Sequence, residues 1–138
     1  MAEDLSDILE SGEHTRLASG LGGTEGPLWH PDGYLTFVDM RASRLLRWDP
    51  DGGVSVVREN TGDGNGCTLD RQGRLIMCEC SNRRVTRMEI PILSMDVDAS
   101  IVPIAERWEG RRLHRPNDVV CRSDGSIYFT DPALRVPP

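Results

Sequence analysis

Three oxygen-bearing side chains recur at one address in this sequence. Glu25, Asn65 and Asn117 each stand eight residues before a glycine, respectively Gly33, Gly73 and Gly125. One carboxylate and two amide oxygens form a hard donor set suited to Ca2+, and offer little to metals that prefer His or Cys. Asn and Glu beside Gly or Pro are also common turn residues, so turn formation is the competing role at all three positions. A second acidic set, Asp39, Glu79 and Asp131, follows the same glycines by six residues. Carboxylates at the far end of a strand accept amide hydrogens from turns, and a structural role is expected for these.

Other reactive side chains are less organised. His30 adjoins the Pro31-Asp32-Gly33 turn and is expected on the surface, far along its strand from Glu25. His114 lies three residues before Asn117, within reach of a substrate held there. Cys67, Cys78, Cys80 and Cys121 sit in apolar alternating segments without a C-x-x-C pair, which points to buried reduced thiols rather than a disulfide frame or a zinc site. Asp96-Val97-Asp98-Ala99-Ser100 lacks the glycine of an EF-hand loop, and Arg107 stands where its closing Glu belongs.

The elements that must position these residues are strands. After a short segment with Leu5, Ile8 and Leu9 at helical spacing, the chain alternates apolar and polar residues, broken by Asp-Gly, Gln-Gly and Pro-Asp. Aligned on the three glycines, Trp29, Leu69 and Cys121 fall four residues before, Leu35, Leu75 and Ile127 two after, and Phe37, Met77 and Phe129 four after. A third strand repeats as Arg44-Leu45-Leu46-Arg47-Trp48-Asp49 and Arg84-Val85-Thr86-Arg87-Met88-Glu89, at an offset of 40. Val54 to Val57 and Ile101 to Ile104 supply a fourth. Four-stranded units of ~40 to 50 residues are the blades of a β-propeller, in which equivalent positions are related by rotation about one axis. Glu25, Asn65 and Asn117 then converge on the mouth of its channel.

Composition removes several classes. The sequence has 138 residues, 38% of them hydrophobic, enough for one packed domain. Its net charge is −6, and Glu3, Asp4, Asp7, Glu10 and Glu13 set apart an acidic segment over residues 1–16. There is no Lys, and the 16 Arg are scattered, so nucleic acid is not an expected partner. The one local cluster, Arg111, Arg112 and Arg115, is expected to be a solvated loop. No apolar run approaches the ~20 residues of a membrane span, and no export signal opens the chain, so a soluble, cytoplasmic protein without membrane contact is expected.

Thr24-Glu25-Gly26-Pro27-Leu28-Trp29, Asn65-Gly66 with Asp70-Arg71-Gln72-Gly73-Arg74-Leu75, and Arg115-Pro116-Asn117-Asp118-Val119-Val120 with Ser123-Asp124-Gly125-Ser126-Ile127-Tyr128-Phe129-Thr130-Asp131-Pro132 resemble the gluconolactonase/senescence-marker-protein (regucalcin) family. The resemblance implies an all-β, six-bladed propeller with a divalent cation, usually Ca2+, at one end of its channel. It also implies hydrolysis of a small sugar lactone, with Glu25 and Asn117 as metal ligands and Asn65 at the substrate or beside the metal. The sequence departs from the family at His114-Arg115 before Pro116, and at Ala133-Leu134-Arg135 after Pro132.

Six blades of ~40 to 50 residues need roughly 240 to 300 residues, so residues 17–138 are expected to form about two and a half blades of a truncated propeller. The family's remaining ligand, an Asp and its expected general base, comes from a later blade. The isolated chain is therefore expected to be inactive, with open edges that invite self-association or the missing half of the ring. The alternatives to a lactonase are a non-catalytic calcium-binding or scaffold propeller and an inactive fragment of such an enzyme.

Overall fold

A computed structural model of the chain describes residues 14–89 and 100–133. The N-terminal acidic segment up to residue 13 and residues 90–99 and 134–138 lie outside them. Four strands, β1 (Thr24–His30), β2 (Tyr34–Asp39), β3 (Arg44–Asp49) and β4 (Gly53–Arg58), form one antiparallel sheet in chain order. The next four repeat it: β5 (Gly64–Leu69), β6 (Leu75–Glu79), β7 (Arg84–Met88) and β8 (Ile101–Ala105). A small ribbon of β9 (Arg107–Trp108) and β10 (Arg111–Arg112) follows, and then the hairpin β11 (Val119–Cys121) and β12 (Ile127–Phe129). The fold is all-β, and both expected fourth strands are present as β4 and β8.

The glycine repeat has a conformational cause. Gly33, Gly73 and Gly125 have φ of +86°, +75° and +94°, a region that side chains strongly disfavour. Each closes the same turn, its amide donating to the carbonyl three residues back, on His30, Asp70 and Arg122, at 2.9 Å in every case.

The three units stack through one face of β2 and both faces of β6. Tyr34, Val38 and Leu45 of the first sheet pack against Leu75, Met77 and Met88 of the second. From the opposite face of β6, Ile76 and Cys78 join Val85 and Val119, with Ile127 and Phe129 of the third hairpin beside them. Period-two alternation sends successive residues of β6 to different neighbours, so every residue of the strand is buried. The first strands stand side by side, β1 against β5 and β5 against β11. Leu28 packs inward while the next residue, Trp29, points to the other face of β1 and is exposed.

Two expectations are corrected by tertiary packing. His30 is not a surface residue: its imidazole is stacked on Tyr34 with ring centroids 4.3 Å apart, and its side chain is only 12% exposed. Arg47 covers the Tyr34 ring, its guanidinium carbon 3.7 Å from the centroid. Glu79 does not bind turn amides. It is fully buried and accepts hydrogen bonds from the side chains of Arg58, Asn82, Arg84 and Thr86, tying the last strand of the first sheet to the second.

Candidate functional site

At the start of each first strand the ladder is interrupted. In β1 the register shifts between Glu25 and Leu28, and in β5 between Gly64 and Cys67. Two residues of the first strand then oppose one of the second, a bulge of the kind that re-aims side chains at sheet rims. In the third unit Asn117 and Asp118 are held on Thr130. The Asn117 amide donates to the Thr130 carbonyl at 3.0 Å, and the Thr130 amide donates to the Asp118 carbonyl at 2.9 Å.

The glycine after each of the first two donors permits close approach between units. A Cβ on Gly26 would lie 2.1 Å from the Asn65 carbonyl oxygen, and one on Gly66 would lie 2.8 Å from that of Asn117. The Gly66 amide instead donates to that Asn117 oxygen at 2.7 Å. These backbone contacts bring Glu25, Asn65 and Asn117 to one cavity of about 320 Å³, which Gly26, Pro27, Gly66, Cys67 and Asp118 also line. Glu25 and Asp118 are exposed, Asn117 is half-buried and Asn65 is buried. The Asn65 amide nitrogen is 3.9 Å from the Met40 sulfur.

The other acids clamp the segments that lead into these addresses. Asp39 accepts the Gly22 amide at 3.0 Å and the Ala42 amide at 3.4 Å. Asp131 accepts the amides of His114 and Arg115 at 2.9 and 2.8 Å. Asp39 and Asp131 therefore have the turn-binding role expected of them. Each fixes backbone about three residues before a cavity donor.

His114 does not line the cavity. Its ring lies beside the Asp131 carboxylate, 3.6 Å away and half-exposed. The arginine cluster docks a loop: Arg112 donates to the Asn82 carbonyl at 2.8 Å, and Arg115 lies 3.6 Å from the Asp63 carboxylate. All four cysteines are free, with Cys78 and Cys80 buried and Cys67 and Cys121 half-buried. The Cys80 thiol donates to the Pro116 carbonyl at 2.9 Å, bracing the residue before Asn117.

Asp118, Cys67, Gly26 and Gly66 are cavity residues that the donor pattern alone does not reveal. The signal for them was the position directly after each donor, which reads Gly, Gly, Asp across the three units. Burial, and after it the Asp118 charge, pushes the Cys67 thiol up to about 12, so it stays protonated and is a poor ligand. The described residues contain no group of three or more His, Cys, Asp or Glu that could hold a metal. Two carboxylates and two amides remain as the cavity's donors. That all-oxygen set fits Ca2+, which takes carboxylate and amide oxygens and completes its shell with water.

Known proteins are similar to this chain in fold and in sequence. The model of the SMP-30/gluconolactonase/LRE-like region matches residues 23–137. A gluconolactonase from Zymomonas mobilis is 26% identical, over 84% of this chain and 35% of that protein. A pentonolactonase from Haloferax volcanii is 42% identical over a shorter stretch, 38% of this chain and 18% of that one. Among solved structures, a gluconolactonase from Xanthomonas campestris superposes with a TM-score of 0.76 at 36% identity, covering 88% of this chain and 39% of its own. Virginiamycin B lyase from Staphylococcus aureus shares the fold, with a TM-score of 0.61 at 16% identity. The chain thus spans little more than a third of the length of the gluconolactonases it matches.

Proposed function

Because the chain belongs to the SMP-30/gluconolactonase/LRE-like family, we propose that it supplies cation- and substrate-binding residues to the hydrolysis of a small sugar lactone. The observation that carries this reading is the meeting of Glu25, Asn65 and Asn117, from three successive units, in one cavity. Such convergence at equivalent addresses suits a ring, and a six-bladed propeller with this chain as about two and a half blades is the architecture proposed.

Glu25 and Asn117 hold the divalent cation, Ca2+ by the chemistry of the donors. When bound, that ion polarises the lactone carbonyl and stabilises the oxyanion that forms on attack by water. Asn65, buried at the cavity wall, orients the substrate through its amide. Asp39, Asp131 and Cys80 keep the donor-bearing segments in place, so that little reorganisation is required as charge develops. A carboxylate acting as general base must take the proton of the attacking water.

Calorimetric titration of the chain with Ca2+ tests the ligand assignment, with uptake by the wild type and loss of it in Glu25→Gln as the expected result. A pH-stat assay on gluconolactone, using the chain joined to the remaining blades, tests the reaction. Turnover there should require Ca2+ and fall with the same substitution. Uptake and turnover both indifferent to Glu25→Gln would refute the reading.

A further inference from the structure

The position after each donor is glycine in the first two units and aspartate in the third, as Gly26, Gly66 and Asp118. The exclusion at Gly66 comes from that aspartate and from the Asn117 carbonyl before it. A Cβ there would lie 2.5 Å from Asp118 Oδ1 and 2.6 Å from Asp118 Cα. The carboxylate, with the Asn117–Asp118 backbone, therefore occupies the space that the missing side chain leaves open.

Asp118 is exposed yet held by its neighbours. Its amide donates to Thr130 Oγ1 at 3.0 Å, and its Oδ1 accepts the Val119 amide at 2.9 Å. Its backbone already closes the hairpin with Thr130, so a charged side chain is not needed to form the turn. The same residue lines the cavity of Glu25, Asn65 and Asn117.

We infer that Asp118 is a metal-binding residue, the second carboxylate of this cavity, seated there by Gly66. The inference rests on the cation-site reading above. Among this chain's residues, Glu25 alone would bring one negative charge to the site. Asp118 raises this to two, and ligand charge is one of the quantities that sets Ca2+ affinity.

The test is Ca2+ titration calorimetry on the 138-residue chain and its variants. Asp118→Asn should weaken binding at least about tenfold, the scale on which disturbed metal-site partners act. Asp118→Ser, which keeps a short acceptor for the Val119 amide, should do the same if the charge is what matters. Gly66→Ala, which crowds the Asp118 carboxylate and the Asn117–Asp118 backbone, should also weaken binding. Combined with Asp118→Asn it should weaken binding by less than the sum of the two changes, because part of its effect passes through the Asp118 carboxylate. Gly73→Ala, at a turn with φ of +75° and open space around it, should lower stability and leave affinity unchanged. Wild-type affinity in both Asp118 variants would overturn the inference, and additive losses in the double variant would overturn the seating by Gly66. A wild-type chain that takes up no Ca2+ would refute the cation-site reading itself, and this inference with it.

Discussion

Replacing Glu79 by glutamine removes one charge from a side chain with no solvent exposure while keeping its shape. Oε1 accepts from Arg58 at 2.7 Å and Thr86 at 3.1 Å, and Oε2 accepts from Asn82 and Arg84 at 2.7 Å each. Because both oxygens face donors, either orientation of the glutamine amide sets an NH2 group against two of them. Arg58 is itself buried and would lose this carboxylate. Breaking such a buried pair costs about 3–5 kcal/mol, a large part of the roughly 5–15 kcal/mol that stabilises a typical domain. Urea unfolding followed by tryptophan fluorescence should show the midpoint falling at unchanged slope. Acid titration adds a second reading. Burial pushes the Glu79 carboxyl up, but hydrogen bonds from Asn82, Arg84 and Arg58, with the Arg58 charge, outweigh it and hold the group below its ordinary 4.5. A lowered folded value means that the native state binds fewer protons than the unfolded chain, so this contribution is complete above about pH 4.5 and lost as pH falls through the folded value. The gap between wild type and Glu79→Gln should be constant near neutrality and shrink in acid. A loss below about 1 kcal/mol, the scale of a surface pair, or a gap that widens in acid, would refute the reasoning.

Gly26→Ala should destabilise the protein more than Gly33→Ala. Both have positive φ, but only at Gly26 would the new Cβ meet backbone, 2.1 Å from the Asn65 oxygen, and equal losses in thermal melts would contradict the close-approach argument. Thiol labelling at mildly alkaline pH should be fast at no more than one cysteine of the native protein, Cys121, and reach all four in urea. Burial raises the thiols of Cys67, Cys78 and Cys80. Asp131→Ala frees the amides of His114 and Arg115 and should cost about 1–3 kcal/mol by denaturant titration, with weaker Ca2+ uptake because Asn117 lies just beyond them.

The strands, their turns and the three donor addresses were legible in the sequence because their causes are local. A left-handed turn admits glycine at Gly33, Gly73 and Gly125, and alternation along each strand is a property of the pleat. The equal spacing from Glu25, Asn65 and Asn117 to those glycines carried the site, since equal spacing along equivalent strands places side chains at equivalent depths. What tertiary structure alone decided were the contacts between units. His30 looked like a turn residue until the Tyr34 ring and its Arg47 cover were in place. Glu79 matched Asp39 and Asp131 in spacing, yet Arg58 arrives from the neighbouring sheet and converts it from a turn acceptor into a buried ion-pair hub. Gly66 and Asp118 are 52 residues apart, and nothing along the chain relates them. Only the approach of β11 to β5 makes one the space that the other fills, because packing between sheets depends on surfaces that sequence-neighbouring residues do not share.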